Sequence, residues 1–499
     1  MKRQFGFGIV GAGVISDIHA MATDSIENAR LVGVYSINKN KSEAFALKNN
    51  CTAYDTLDAL VNLPEIDIVC ICTPSGIHLD PAIKCIEAGK HCLIEKPLEV
   101  TLEKCDRIIE AAKKAGVKTG VIFPSRFYEA SKQVKKSIDE KRFGDLVLGD
   151  AYVKWNRSAG YYKSSAWRGT WEFDGGGALM NQGIHSVDLL QWYMGPVESV
   201  QSVTANIRHK GIEVEDTVVS TLKFANGALG TIVCSTAVFP GTLKRIEVMG
   251  TTGTAILEES NLIKWQFEQE TSDDKLIINA MSGGNVSHGG VSNPADINFK
   301  GHQSQIEDMI HSIETGDKPL VDGVEGRKSV AIVLAIYETR VQMGAEAAKD
   351  AAEKIKELLL LKQGFINIIF AAAPSQNEFL SSLSQEKDIN WRRVNAFHMD
   401  EYVGLDNKAP QTFAHFLKES IFEKVSLNEV HYINGNAEDL HAECLRYAKL
   451  LKEYPADIVC MGIGENTHIA FNDPHSADFN DPLMVKVVTL DELLSLIHI

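Results

Sequence analysis

Runs of apolar residues near both ends of the chain, and single alternation through its middle, divide it into three patterns. Residues 5–10 form an apolar run that reads as a buried strand, followed by the turn Gly11-Ala12-Gly13 and a helix from about Ser16. Further strands are predicted at 31–35, 67–72, 93–94 and 117–123, and helices at 79–88 and 101–115, the latter closed by Gly116. Strands alternating with helices of this length signify a doubly wound parallel sheet, here over residues 1–123.

Near residue 146 the period changes. Segments 146–156, 197–208, 214–224, 227–236, 243–249 and 253–257 alternate apolar with polar, punctuated by Asn226-Gly227 and Gly250-Thr251-Thr252-Gly253. They predict an α+β unit, residues 124–342, with a large, mostly antiparallel sheet and one helix at 181–193. A Gly-, Ser- and Asn-rich loop over 283–301 and helices at 302–315 and 326–342 complete it. At Met343-Gly344 the α/β pattern returns: helices at 345–361, 377–384, 411–424 and 437–453, and strands at 366–371, 394–397 and 457–461, predict a third unit over 343–492.

A length of 499 residues exceeds what one core usually serves, in agreement with this division. The net charge of −16, with no basic cluster to offset it, argues against a nucleic-acid partner. No run of 18 apolar residues offers a membrane span, and the glycines at 6, 8, 11 and 13 interrupt anything resembling a leader. Nine cysteines without a C-x-x-C pair read as buried free thiols in a reducing cytoplasm, and no ligand spacing calls for a metal.

Gly11-Ala12-Gly13-Val14-Ile15-Ser16 is a G-x-G-x-x-S turn between a strand and a helix. Its glycines allow a pyrophosphate to approach the helix N-terminus, where amide donors and the dipole favour an anion; a purely structural turn is the alternative. Downstream, Glu95-Lys96-Pro97 ends a strand, and Val69-Cys70-Ile71-Cys72-Thr73-Pro74-Ser75-Gly76-Ile77-His78 lies between the two. Together these resemble the glucose–fructose oxidoreductase/inositol dehydrogenase (Gfo/Idh/MocA) family, from about residue 4 to about residue 342. The resemblance implies an N-terminal Rossmann domain binding NAD or NADP, with Gly11, Gly13, Ser16, Thr73, Pro74, His78, Glu95 and Lys96 at the cofactor. At the end of the second strand no carboxylate awaits the ribose, whereas Ser36, Asn38 and Lys39 suit a 2′-phosphate, so NADP is favoured. Lys96 is implied as a catalytic proton carrier, the alternative being a surface lysine held by Glu95, and Pro97 is expected in the cis form.

Gly175-Gly176-Gly177-Ala178-Leu179-Met180-Asn181-Gln182-Gly183-Ile184-His185 resembles the family's second motif, in which an Asp and a His four residues apart share a helical face. His185 matches the histidine. Asn181 stands in place of the Asp and cannot accept a proton, which leaves Lys96 and His185 as the acid/base pair. Before this motif lie Trp155, Arg157, Tyr161, Tyr162, Trp167 and Arg168. Two readings fit them: a platform for a sugar ring with Arg168 holding an anion, or packing under the sheet. The implied activity is hydride transfer between nicotinamide and a hydroxyl of a sugar or amino sugar, in a homo-oligomer formed through the second sheet. A rival reading is a non-catalytic sensor that binds cofactor and sugar.

Phe397-His398-Met399-Asp400-Glu401-Tyr402 and Ile433-Asn434-Gly435-Asn436-Ala437 resemble the glucosamine-6-phosphate deaminase/isomerase family, as does the run 462–474. The resemblance implies Asp400 as the base beside the carbonyl and His468 as the ring-opening group. Asn466 and Asp473 stand where Asp and Glu are usual, and Ser375 is the phosphate ligand in a loop that lacks the usual glycines. The family extends further than this chain, and residues 494–499 match a reading frame of a transposon end used in library preparation. Residues 493–499 are therefore expected to be an artefactual tail, and the third, incomplete α/β domain is expected to release no ammonia.

Overall fold

A computed structural model describes residues 3–282, 299–372, 376–406, 409–461, 478 and 480–488. Two compact units divide the chain, Met1–Tyr337 and Glu338–Ile499. Among the described residues no helix is long and apolar enough to cross a membrane.

The first unit opens with six parallel strands: β1 (Phe5–Val10), β2 (Ala29–Tyr35), β3 (Thr52–Tyr54), β4 (Ile68–Ile71), β5 (His91–Ile94) and β6 (Thr119–Val121). They lie in the order β3-β2-β1-β4-β5-β6. Strands β1 and β4 are buried throughout, as a sheet covered on both faces requires. The order reverses between β1 and β4, so the crevice beyond their C-terminal ends is where such a sheet binds ligands. The helix Leu102–Ala115 is bounded as its sequence dictates: the Thr101 side chain accepts from Lys104 N, and Gly116 closes it at φ 70°.

Seven strands form the second sheet: β7 (Leu146–Lys154), β8 (Val197–Ala205), β9 (Thr217–Phe224), β10 (Leu229–Ser235), β11 (Arg245–Gly250), β12 (Gly253–Glu258) and β13 (Asn261–Phe267). Their order is β13-β12-β11-β7-β10-β9-β8, and only the β7–β10 pair is parallel. Strand β13 and the helix Ser272–Met281 were not legible in the sequence. The expected loop at 283–301 lies largely outside the described residues, and a helix already starts at Lys300.

A buried ion pair joins the two layers. Arg126 Nε and Nη2 donate to the Asp188 carboxylate at 2.8 and 2.7 Å, and Nη1 reaches Glu325 at 3.1 Å. Removing one partner strands a charge in a dry interior, so Arg126→Ala is expected to cost about 3–5 kcal/mol, read as a lowered urea midpoint. A loss below about 1 kcal/mol would mean that water reaches Asp188.

Among the described residues the second unit holds four parallel strands, β14 (Ile366–Phe370), β15 (Val394–His398), β16 (Glu429–His431) and β17 (Ile458–Cys460), in the order β16-β15-β14-β17. The sequence places a helix break at Met343-Gly344, whereas one helix runs over Gly323–Leu361. Glycine inside a helix costs only about 1 kcal/mol relative to alanine, and here it has a packing reason. A Cβ on Gly344 would stand 2.5 Å from Cβ of Glu378, on the helix Asn377–Gln385. Ala348, Ala352, Ile355 and Leu359 then bury against the second unit's core. The predicted helix over 411–424 is a short α-helix, Phe413–Leu417, followed by a π-turn, Lys418–Phe422.

Candidate active site

The glycine turn ends β1. Gly11 has φ +103°, and a Cβ there would sit 2.6 Å from the carbonyl oxygen of Cys72, so both conformation and space demand glycine. At Gly13 a Cβ would meet nothing within 4 Å, leaving open space before the helix Val14–Asp24. Ser16 is buried, donates to Gly11 O at 2.9 Å and accepts from Gly13 N at 2.9 Å. Its hydroxyl braces the turn from beneath. At the end of β2, Asn38 caps the helix Lys39–Lys48 by accepting from Lys41 N, and Ser36 Oγ accepts from Asn38 N. Lys39 is exposed and paired with Asp55 at 2.7 Å.

Thr73 and Pro74 follow β4 and are half-buried. His78 is fully buried: its Nδ1 lies 2.9 Å from Pro97 O and its Nε2 3.0 Å from Thr73 O. The ring ties the Thr73 loop to the Lys96-Pro97 loop. The Lys96–Pro97 bond is cis.

Glu95 is buried with two histidines that the sequence did not signal. Its Oε1 lies 2.9 Å from His19 Nε2 and 3.7 Å from His302 Nε2, and its Oε2 accepts from Lys96 N. Burial pushes this carboxyl up, but the hydrogen bonds and charge of His19 and His302 outweigh it and hold the group well below the usual carboxylate range. Next in sequence, Lys96 Nζ donates to the backbone oxygen of Asn181 at 2.6 Å. Burial lowers the Lys96 pKa; Glu95 and Asp174 oppose that, and Arg157 and Arg168 add to it.

The predicted helix over 181–193 starts differently. Ala178–Gly183 is a π-turn, and the α-helix is Ile184–Met194. Asn181 therefore lies in the π-turn and His185 in the first turn of the α-helix that follows it. The Asn181 side chain turns to other partners: Nδ2 donates to Asp174 Oδ1 at 2.5 Å, and Oδ1 accepts from Gln182 Nε2 at 2.6 Å. His185 is held well below its ordinary pKa by burial and by the charges of Lys96 and Lys244, so its imidazole is neutral at neutral pH. Its Nδ1 is buried without a hydrogen-bond partner, and its ring stands edge-on to Phe123 at 5.6 Å.

Asp174, which the sequence did not single out, is buried beside these groups and accepts from Gly169 N at 2.9 Å. Burial pushes its pKa up to about 6, against hydrogen bonds from Gly169 and Asn181 and the charge of Lys96. Tyr162 packs inward, its hydroxyl 2.8 Å from Thr236 Oγ1. Arg168 lies 4.4 Å over the Tyr161 ring, and its Nε is buried without a hydrogen-bond partner.

In the second unit Asp400 follows β15. Burial, and then the Glu401 charge, raises its pKa to about 7. Glu401 accepts from the backbone N–H groups of Phe413 and Ala414. Ser375, Asn466, His468 and Asp473 lie outside the described residues. A folded-state pKa raised from 3.8 to about 7 means that folding penalises the Asp400 carboxylate. The penalty is absent below about pH 4 and complete above about pH 7. Asp400→Asn is therefore expected to raise the thermal midpoint at pH 8 and leave it nearly unchanged at pH 4, by scanning calorimetry at both values.

Three family profiles match the chain. One described as "Oxidoreductase family, NAD-binding Rossmann fold" covers residues 5–123 and one described as "GFO/IDH/MocA C-terminal domain" covers 131–256. A third, "Glucosamine-6-phosphate isomerases/6-phosphogluconolactonase", covers 338–489. The solved WlbA dehydrogenase from Bordetella pertussis, in complex with NADH and UDP-GlcNAcA, is 32% identical with a TM-score of 0.60, over 68% of this chain and 96% of that one. The 2,7-anhydro-N-acetylneuraminate hydratase of Escherichia coli (strain K12) is 25% identical over 71% of this chain and 98% of its own length. For the C-terminal part, glucosamine-6-phosphate deaminase of Streptococcus sanguinis (strain SK36) is 37% identical over 135 residues, and the chain spans 56% of that protein's length.

Proposed function

Because the chain belongs to the Gfo/Idh/MocA oxidoreductase family, with a glucosamine-6-phosphate isomerase-like domain at its C-terminus, we propose that its first unit oxidises a ring hydroxyl of a carboxylate-bearing, N-acetylated sugar. The observation that carries the reading is Arg168: its guanidinium is fixed over the Tyr161 ring and by Tyr161 O and Ser164 Oγ, and its charge reaches Lys96, so it presents a positioned cation for a ligand carboxylate. The WlbA dehydrogenase holds UDP-GlcNAcA and the Escherichia coli hydratase is named for 2,7-anhydro-N-acetylneuraminate, both acidic N-acetylated sugars, which supports the same class.

The open space at Gly13, faced by the N-terminus of the helix Val14–Asp24, fits a dinucleotide pyrophosphate. When bound, the nicotinamide supplies the hydride acceptor. Lys96, whose lowered pKa frees a fraction of neutral amine, takes the hydroxyl proton, and neutral His185 holds a neighbouring hydroxyl. NAD is the preferred cofactor, against the NADP favoured by sequence alone: Asn38 is committed to its helix cap and Lys39 is answered by Asp55, so little positive charge remains for a 2′-phosphate. Copies of the chain associate through the outward face of the second sheet, where Val203, Val219 and Leu229 are exposed, and light scattering reads the assembly. In the second unit Asp400 is the base of an amino-sugar phosphate site.

The test is NADH formation from NAD with UDP-GlcNAcA, with N-acetylneuraminate derivatives and with neutral cyclitols. Turnover of an acidic sugar, lost in Arg168→Met through KM, is expected. Oxidation of myo-inositol alone, unaffected by Arg168→Met, would overturn the substrate class.

A further inference from the structure

The site has a carboxylate close to position 181, but not on it. Asn181 offers an uncharged side chain, and its backbone oxygen is what Lys96 Nζ touches, at 2.6 Å. One hydrogen bond further, Asp174 Oδ1 accepts from Asn181 Nδ2 at 2.5 Å, while Oδ2 is anchored by Gly169 N at 2.9 Å. With Nδ2 fixed in this way, the amide oxygen of Asn181 points to Gln182 Nε2 and to the Tyr161 hydroxyl, at 2.6 and 3.4 Å. Orientation of an amide is set by such partners, and an acceptor-only carboxylate allows one answer. Asp174 is 2% exposed, so its charge acts through protein and not through water.

We propose that Asp174 is a positioning residue that orients Asn181 and, through the Ala178–Gly183 turn, holds the Lys96 amine at the site while supplying the negative charge that Asn181 lacks. The proposal rests on the reading of Lys96 as the proton carrier. The charges facing Lys96 are Glu95 and Asp174, which favour the ammonium, and Arg157 and Arg168, which oppose it; His185 stands nearby as a neutral ring. Glu95 is already engaged by His19 and His302 on the far side of its carboxylate. Glu215 accepts from Gly177 N and Leu179 N at the start of the turn, whereas Asp174 bonds the side chain of Asn181, the residue whose backbone oxygen holds Lys96. Neutralising it removes a favourable charge from the ammonium, so the amine loses its proton at lower pH.

Three variants test this: Asp174→Asn, Asn181→Asp, and the two combined. The first readout needs no substrate: the pH dependence of Lys96 labelling by trinitrobenzenesulfonate, followed by peptide mass spectrometry. Asp174→Asn is expected to move the labelling midpoint down by about one pH unit. The single change also leaves one acceptor oxygen for two donors, Gly169 N and Asn181 Nδ2, whereas in the double variant the amide oxygen at 174 accepts from Gly169 N and its NH2 donates to the carboxylate at 181. The double variant should therefore return the midpoint to within a few tenths of a unit of the original value. The second readout is kcat/KM for UDP-GlcNAcA with NAD, expected to fall by up to about 10²-fold in Asp174→Asn and to recover in the double variant. Should Asp174→Asn not fold, the double variant and Asn181→Asp, whose midpoint is expected to rise, decide the matter. An unmoved labelling midpoint in the folded single variants, or a double variant that labels like Asp174→Asn, overturns the proposal. Absence of turnover with an acidic sugar alongside the expected midpoints would instead count against the substrate class.

Discussion

Lys96→Ala is expected to lower kcat by about 10²–10⁴-fold, the range for losing a positioned proton-transfer group, while affinity for the dinucleotide changes little. The lysine follows β5 and its amine reaches the backbone oxygen of Asn181, in the turn before the helix Ile184–Met194. Oxidation of a hydroxyl needs the neutral amine. Burial lowers the Lys96 pKa, so wild-type kcat/KM should rise with pH through a midpoint below the ordinary lysine value, and the alanine variant should lose that limb. Stability moves the other way. A lysine with a depressed folded-state pKa is penalised wherever it is charged, which is everywhere below that value. The alanine variant should therefore melt no lower than wild type at pH 7, which separates lost chemistry from lost fold. Turnover of an acidic sugar at the wild-type rate by Lys96→Ala would make the lysine structural and remove it from the proton transfer.

What was legible in the sequence is what short-range rules govern. The glycine turn after an apolar run, the helix between Thr101 and Gly116, and the alternation that became β8 to β12 each depend on neighbours a few residues apart. Position-specific resemblance added Glu95-Lys96-Pro97 and His185. Partners brought together by the fold were not legible. His19 meets Glu95 across 76 residues, and nothing around either residue announces the other. Asp174 carries no signal in the sequence; its meaning comes from Gly169, Asn181 and Lys96, gathered by folding. Gly344 misled for the converse reason. Its flexibility suggested a break, but the decisive quantity was the space beside Glu378. The π-turn Ala178–Gly183 likewise cannot be read from a 3.6-residue period, and the Asn181 side chain inside it is bonded to Asp174 and Gln182.

Gly13→Val should abolish dinucleotide binding in a protein that still folds. The two glycines of the turn carry separate duties, and the structure separates them. At Gly13 the backbone is extended, φ −104° and ψ −172°, a conformation that valine adopts readily, and its side chain would enter space where no protein atom lies within 4 Å of the Cβ. That space fronts the first N–H groups of the helix Val14–Asp24, where a pyrophosphate needs close backbone approach. Two methyl groups there hold the phosphates away from their donors. Affinity for NADH by calorimetry is expected to fall at least about a hundredfold, or roughly 2.8 kcal/mol, with a thermal midpoint near that of wild type. Gly11→Val is the control. At φ +103°, with the Cys72 oxygen 2.6 Å from the new Cβ, it should destabilise the unit and lose binding only as a consequence. Unchanged NADH affinity in folded Gly13→Val would show that this crevice is not where the cofactor's phosphates lie, and the assignment of the turn would fall with it.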